Sequence, residues 1–201
     1  MKTDFNLIDA FRIFNETGTG TACIQDLIHG LKDLGLEVTN DEMTLFMARF
    51  DQDNDRKLRY SEFCQAFLPQ DSFHASLLAK KAPMTVYPRS ITPKEHIFYP
   101  ETAELFLQAW TTHLQNEIQA EQLRILTQKK TAFSAHQAFT LIDENKDGYI
   151  DKDDLRKFFS RHCMYVPDKE LQALIERYDK ELTGKINYDQ FLSELTAKKI
   201  F

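Results

Sequence analysis

The chain has 201 residues, 42% of them hydrophobic, with a formal net charge of −6 and a pI near 5.5; that is enough apolar content for one large domain or two small ones. The acidic balance argues against a general nucleic-acid binder, which shows a basic face, and no apolar run reaches the roughly 18 residues that a bilayer span needs. Three widely spaced cysteines (Cys23, Cys64, Cys163) suggest neither a disulfide framework nor a CxxC metal site, and the start Met1-Lys2-Thr3-Asp4 is neither a signal peptide nor a myristoylation site, so a soluble cytoplasmic protein is expected.

In chain order, Leu7, Phe11 and Phe14 form a first helical stripe that runs into the stretch Asn15 to Asp26. That stretch offers Asn15, Thr17, Thr19 and Asp26 as oxygen donors and has Gly20 at its sixth position. Leu27, Leu31 and Leu34 then open a second stripe. The pattern recurs with Met43, Phe46, Met47 and Phe50, then Asp51 to Glu62, then Phe63 and Phe67. Here Asp51, Asp53, Asp55 and Glu62 stand at positions 1, 3, 5 and 12, Leu58 at 8, and Arg56 where the first stretch has glycine.

Five of the six prolines fall within residues 69 to 100, so after a short helix at Asp71 to Lys81 the chain is expected to run extended or turning. From 101 to 131 a long amphipathic helix is predicted, about 45 Å at 1.5 Å per residue. Phe106, Trp110, Leu114, Ile118 and Ile125 lie near one face of it, either as a spacer, as a partner-binding rod or docked in cis. Ser134 to Gln137 fits a capping box.

Two further units follow. Ala135, Ala138, Phe139 and Ile142 precede Asp143 to Asp154, with Leu155, Phe158 and Phe159 after it. Leu171, Leu174, Ile175 and Tyr178 precede Asp179 to Gln190, with Phe191 and Leu195 after it. The third stretch has Asp143, Asn145, Asp147 and Asp154 at positions 1, 3, 5 and 12, Gly148 at 6 and Ile150 at 8. The fourth keeps Gly184 and Ile186 but offers Asp179, Glu181, Thr183 and an uncharged Gln190.

Oxygens on alternate residues, a glycine corner, a backbone carbonyl at position 7 (Lys57, Tyr149) and a closing carboxylate make a twelve-residue wrap for a hard cation. Calcium takes about six to eight oxygens at about 2.3 to 2.6 Å. First and second loops start 36 residues apart, as do third and fourth, while second and third are 92 apart. Equal intervals imply two equivalent pairs, each joined through positions 7 to 9: residues 21–23 with 57–59, and 149–151 with 185–187.

On these motifs the chain resembles a calmodulin-superfamily EF-hand protein over about residues 4 to 70 and 132 to 197, and departs from calmodulin in the middle. The expected fold is all-α, two EF-hand pairs joined by a Pro-rich linker and a long helix. Domains are expected at 1–70, 71–100, 101–131 and 132–201. The expected metal ligands are Asp51, Asp53, Asp55, Lys57, Glu62, Asp143, Asn145, Asp147, Tyr149 and Asp154, with Ca2+ as the expected ion. Arg56 should weaken the second site through a strained corner, and the short Asp154 arm should narrow the third site's margin over Mg2+. The first and fourth loops are expected to persist as structural partners.

Other chemistry is thin. Six histidines show no zinc spacing, and neither a phosphate loop nor a nucleophile motif appears, so an enzyme is not expected. With at most two competent loops, a buffer ranks below a calcium-responsive regulator of one dedicated protein partner. A constitutive component of a ciliary axoneme or another microtubule assembly is the alternative, in the cytoplasm or on the cytoskeleton. From Lys80 to Pro100 the chain is locally basic, with Tyr87, Phe98 and Tyr99 interspersed. That strip suits either a tether across its own acidic lobes or an acidic partner surface such as tubulin.

Overall fold

A computed structural model describes residues 3–15, 18–69, 71–83 and 97–198. The elements in order are α1 (Leu7–Arg12), β1 (Thr21–Cys23), α2 (Ile24–Asp33), α3 (Asn40–Phe50), β2 (Lys57–Arg59), α4 (Tyr60–Phe67), α5 (Ser72–Ala79), α6 (Pro100–Gln128), α7 (Ala135–Ile142), β3 (Tyr149–Ile150), α8 (Lys152–Arg161), α9 (Asp168–Tyr178), β4 (Ile186–Asn187) and α10 (Tyr188–Leu195). The fold is all-α, and among the described residues strands occur only where loops pair. Most of the basic strip, including Tyr87, Arg89 and Lys94, and Thr17 of the first loop lie outside the described residues.

The two ribbons are antiparallel, in the register that the spacing predicts. Thr21, Ala22 and Cys23 face Arg59, Leu58 and Lys57, and Tyr149 and Ile150 face Asn187 and Ile186. Ala22, Leu58, Ile150 and Ile186 sit at position 8 of their loops and point into the cores, at 0 to 3% exposure. Each ribbon therefore fixes two loops and contributes to a core at once.

Short-range signals set the helix boundaries. Asn6 caps α1 by accepting the Asp9 N–H at 2.8 Å, and Thr39 with Glu42 makes a reciprocal capping box on α3. Ser134 caps α7 through the Gln137 N–H at 3.3 Å, but only this half of the expected box forms. Pro100 is the first residue of α6, where a missing N–H costs nothing. Asp4 reaches across to that helix start, accepting the Tyr99 N–H at 2.7 Å and the Thr102 hydroxyl at 2.8 Å. Burial pushes the Asp4 carboxyl up, yet these two bonds outweigh it and hold it below its ordinary value.

The chain divides into a first unit within Met1–Ala120 and a second, Glu121–Ala197. In the first, the stripes of α1 to α4 close around α6. Phe106, Trp110 and Leu114 are 3%, 0% and 6% exposed. Trp110 packs on Phe46 at 4.6 Å, Phe67 at 5.0 Å and Phe14 at 5.3 Å between ring centroids. The long helix is thus the central element of this core, with α6 residues taking the groove that the four shorter helices leave.

The predicted apolar stripe of α6 stops there. Ile118 is half-buried and Ile125 exposed, while Glu117, Glu121 and Arg124 are buried instead. A helix turns once per 3.6 residues, so strict four-residue spacing drifts off the buried face after three steps, and positions 106, 110, 114, 117, 121 and 124 follow the true period. Arg124 is anchored within the second unit, its guanidinium donating to Glu121 at 3.0 Å and to the Glu194 carbonyl at 2.8 Å. The helix ends at Gln128, three residues before the expected 131.

The second unit has a smaller core of Phe139, Ile150, Leu155, Leu171, Ile175 and Ile186. Its inward stripes are only partly covered, and α10 buries no residue completely. Ile142, Phe158, Phe159, Leu174, Tyr178, Phe191 and Leu195 line an open apolar groove of about 240 Å³. Among the described residues, no helix is long and apolar enough to cross a membrane.

Candidate metal sites

All four loops fold on one plan. The side-chain oxygen at position 1 accepts the N–H of position 6: Asn15 from Gly20 at 3.4 Å, Asp51 from Arg56 at 2.8 Å, Asp143 from Gly148 at 3.0 Å and Asp179 from Gly184 at 2.5 Å. The side chain at position 12 accepts the N–H of position 9: Asp26 from Cys23 at 2.8 Å, Glu62 from Arg59 at 2.8 Å, Asp154 from Asp151 at 3.2 Å and Gln190 from Asn187 at 2.9 Å. Hydrogen bonding alone therefore shapes the weak loops as well as the strong ones. Gln190 accepts as well as a carboxylate does, so the fourth loop keeps its form without its charge.

The backbone corner needs two residues in the left-handed region, not one. Position 6 has φ 63° at Arg56 and 86° at Gly148, and position 4 has φ 57° at Asn54, 58° at Lys146 and 57° at Leu182. The sequence pattern points to position 6 and not to position 4. Asn54 is the residue that signals it, since asparagine tolerates this region better than most side chains. Arg56 does adopt the strained conformation, which costs about 1 to 2 kcal/mol relative to an unstrained backbone.

In the second loop, Asp51, Asp53 and Asp55 each bring a carboxylate oxygen within 4.8 Å of the others. Glu62, at position 12, accepts the N–H of Gln52 at 2.9 Å and that of Arg59 at 2.8 Å, one on each oxygen. Burial pushes the Asp51 carboxyl up, and the neighbouring charges of Glu62 and Asp55 push the same way against bonds from the Arg56 and Asp55 N–H groups. Three convergent carboxylates match the hard-oxygen donor chemistry of a divalent-cation site. The donors this loop offers are Asp51, Asp53, Asp55, the Lys57 carbonyl and Glu62.

The third loop carries Asp143, Asn145, Asp147, the Tyr149 carbonyl and Asp154 at its ligand positions, but its three carboxylates do not converge within 4.8 Å as those of Asp51, Asp53 and Asp55 do. Asp147 accepts the Tyr149 N–H at 2.9 Å, and its own N–H donates to Asn145 at 2.8 Å. Asp154 is 2% exposed; burial pushes its carboxyl up, offset in part by the Asp151 and Glu144 N–H groups. Despite its shorter arm it reaches the same two loop positions as Glu62.

Two side chains that the ligand pattern does not include also enter these loops. Arg59 puts one guanidinium nitrogen 2.6 Å from Asp53 and 3.1 Å from Asp55. Lys185, from the fourth loop, puts its ammonium 3.0 Å from Asp147 of the third. That bond holds the Asp147 carboxyl below its ordinary value.

The EF-hand domain pair matches residues 4–68 and 133–196. "Myosin regulatory light chain 11" of Gallus gallus is 48% identical over 63 residues, 31% of this chain and 35% of that protein. "Myosin regulatory light chain 1" of Caenorhabditis elegans is 38% identical over 65 residues, 32% of this chain and 36% of that one. "Calcium-dependent protein kinase 7" of Arabidopsis thaliana is 20% identical over 190 residues, 94% of this chain and 25% of the kinase. The aligned residues span about a third of the length of the light chains they match. With both helix-loop-helix pairs matched over more than half its length, this protein belongs to the EF-hand domain-pair family, a calcium-binding, calmodulin-like regulatory family.

Proposed function

We propose that the loops beginning at Asp51 and Asp143 bind calcium, and that the protein is a calcium-responsive regulator of a dedicated protein partner. The observation that carries this reading is the contrast between the two hydrophobic grooves. In the first unit the groove is filled by the protein's own Phe106, Trp110 and Leu114. In the second, Phe158, Phe159, Phe191 and Leu195 line a groove open to a partner helix. The first unit then serves as a structural base and the second as the reader, with its calcium loop packed on the groove through Ile150 and Leu155. The short Asp154 arm leaves the third loop open to Mg2+ as well.

A dye that fluoresces on apolar surface tests this. Calcium should raise its signal, and Asp143→Ala should remove the rise while Asp51→Ala keeps it. A signal indifferent to calcium would overturn the regulator. The filled first groove also favours a second reading, a constitutive component of a larger cytoskeletal or ciliary assembly with calcium secondary, because a permanently packed lobe needs no ion to hold its form. Partner binding unchanged by a chelator would select it.

A further inference from the structure

We propose that Arg59 and Lys185 are tethered counter-cations of the two calcium loops, each holding ligand carboxylates that an incoming divalent cation must take from it. This rests on the reading of both loops as metal sites. Arg59 stands at position 9 of its loop and turns inward, so that one guanidinium nitrogen bridges Asp53 and Asp55, the ligands at positions 3 and 5. Lys185 stands at position 7 of the fourth loop. The ribbon that pairs β3 with β4 sets it beside the third loop, where it meets Asp147 at position 5 and lies 5.7 Å from the Tyr149 ring centroid. The two devices differ in origin, one within a loop and one across the pair, yet both set a positive charge against ligand carboxylates.

The consequence is competition. A carboxylate that ligates calcium through the oxygen now bonded to Arg59 or Lys185 loses that partner or shares it, and a like charge held within a few ångströms opposes the ion further. The device gives the fourth loop, which lacks a closing carboxylate, a task in setting the affinity of the third. It also stabilises both loops when no metal is bound, since the ligand carboxylates are not left to repel one another.

Calorimetric titration of the full-length protein with calcium chloride tests this, using Asp143→Ala as background for the second loop and Asp51→Ala for the third. Arg59→Gln should tighten the second site about threefold to tenfold, an effect set by one nearby charge partly screened by solvent and salt. Lys185→Gln should do the same at the third. The controls are Arg56→Gln and Lys146→Gln, which remove an equal charge from the same loops without removing a bridge, and these should change affinity less than about twofold, the size of a screened surface charge. If controls and bridge variants tighten binding equally, the effect belongs to the general field and the proposal fails. If neither changes binding while the parent proteins still take up calcium, the bridges do not compete, and the proposal fails with the metal sites intact. If no parent or variant binds calcium, the reading of the loops as metal sites fails, and this proposal with it.

Discussion

Replacing Trp110 separates a docked α6 from a projecting one. The indole is fully buried among five aromatic rings, the nearest being Phe46, Phe67 and Phe14 with centroids at 4.6, 5.0 and 5.3 Å. Trp110→Ala in such a core should cost about 3 to 5 kcal/mol, from lost transfer energy and the cavity left behind. Each aromatic pair is worth about 0.5 to 1.5 kcal/mol beyond buried area, which places the loss toward the upper end. The indole N–H finds no acceptor among the described protein groups around it, and an unsatisfied buried donor costs about 1 to 3 kcal/mol. Trp110→Phe removes that donor along with some packing, so the two changes offset and the net loss should stay below about 1.5 kcal/mol. Urea denaturation followed by far-ultraviolet circular dichroism reads both. A Trp110→Ala cost under about 1 kcal/mol would refute the docked helix on the same scale of core truncations, and a Trp110→Phe cost well above about 1.5 kcal/mol would refute the role given to the N–H.

Three further outcomes follow from local geometry. A Cβ on Gly30 would lie 2.5 Å from Cδ1 and 2.8 Å from Cε1 of Phe14, so Gly30→Ala should destabilise the first unit by about 1 to 3 kcal/mol by overpacking, although alanine is the better helix former by about 1 kcal/mol; thermal unfolding checks this. Arg56→Gly relieves the φ of 63° and should raise metal-free stability by up to about 1 kcal/mol, the left-handed penalty less glycine's added chain entropy, and should tighten calcium binding at the second loop in the same titration. Asp154→Glu should raise the calcium-to-magnesium affinity ratio of the third loop by giving it a longer closing arm; an unchanged ratio would mean that the loop already contracts around Asp154.

The loops and their pairing were legible because each depends on few residues at fixed spacing. Position 8 aliphatics, position 6 glycines and the 36-residue interval fix the ribbons, and the structure forms all three expected pairs of the first ribbon and two of the three in the second, where Asp151 and Lys185 lie outside the strands. The second left-handed corner was not legible, since Lys146 and Leu182 occupy it without preferring it. The place of α6 was only half legible. Phe106, Trp110 and Leu114 mark a face that needs burial, but the same face could serve a groove of this protein or of another. What decides is tertiary: Phe14, Phe46 and Phe67 converge on that face from three separate segments. Arg59 and Lys185 read in sequence only as charges near a loop. Their bridges depend on strand pairing and side-chain reach, which spacing in the sequence does not encode.

Which loops take up calcium is the central question, and calorimetric titration of the metal-free protein and four variants measures it directly. The intact protein should bind two ions, Asp51→Ala and Asp143→Ala one each, and Asn15→Ala and Asp179→Ala two. Position 1 supplies a full charge and a direct ligand in the second and third loops, whereas the first lacks carboxylates at positions 1, 3 and 5 and the fourth closes with Gln190. Stoichiometry unchanged by Asp51→Ala and Asp143→Ala, or an intact protein that takes up no calcium, would contradict the assignment.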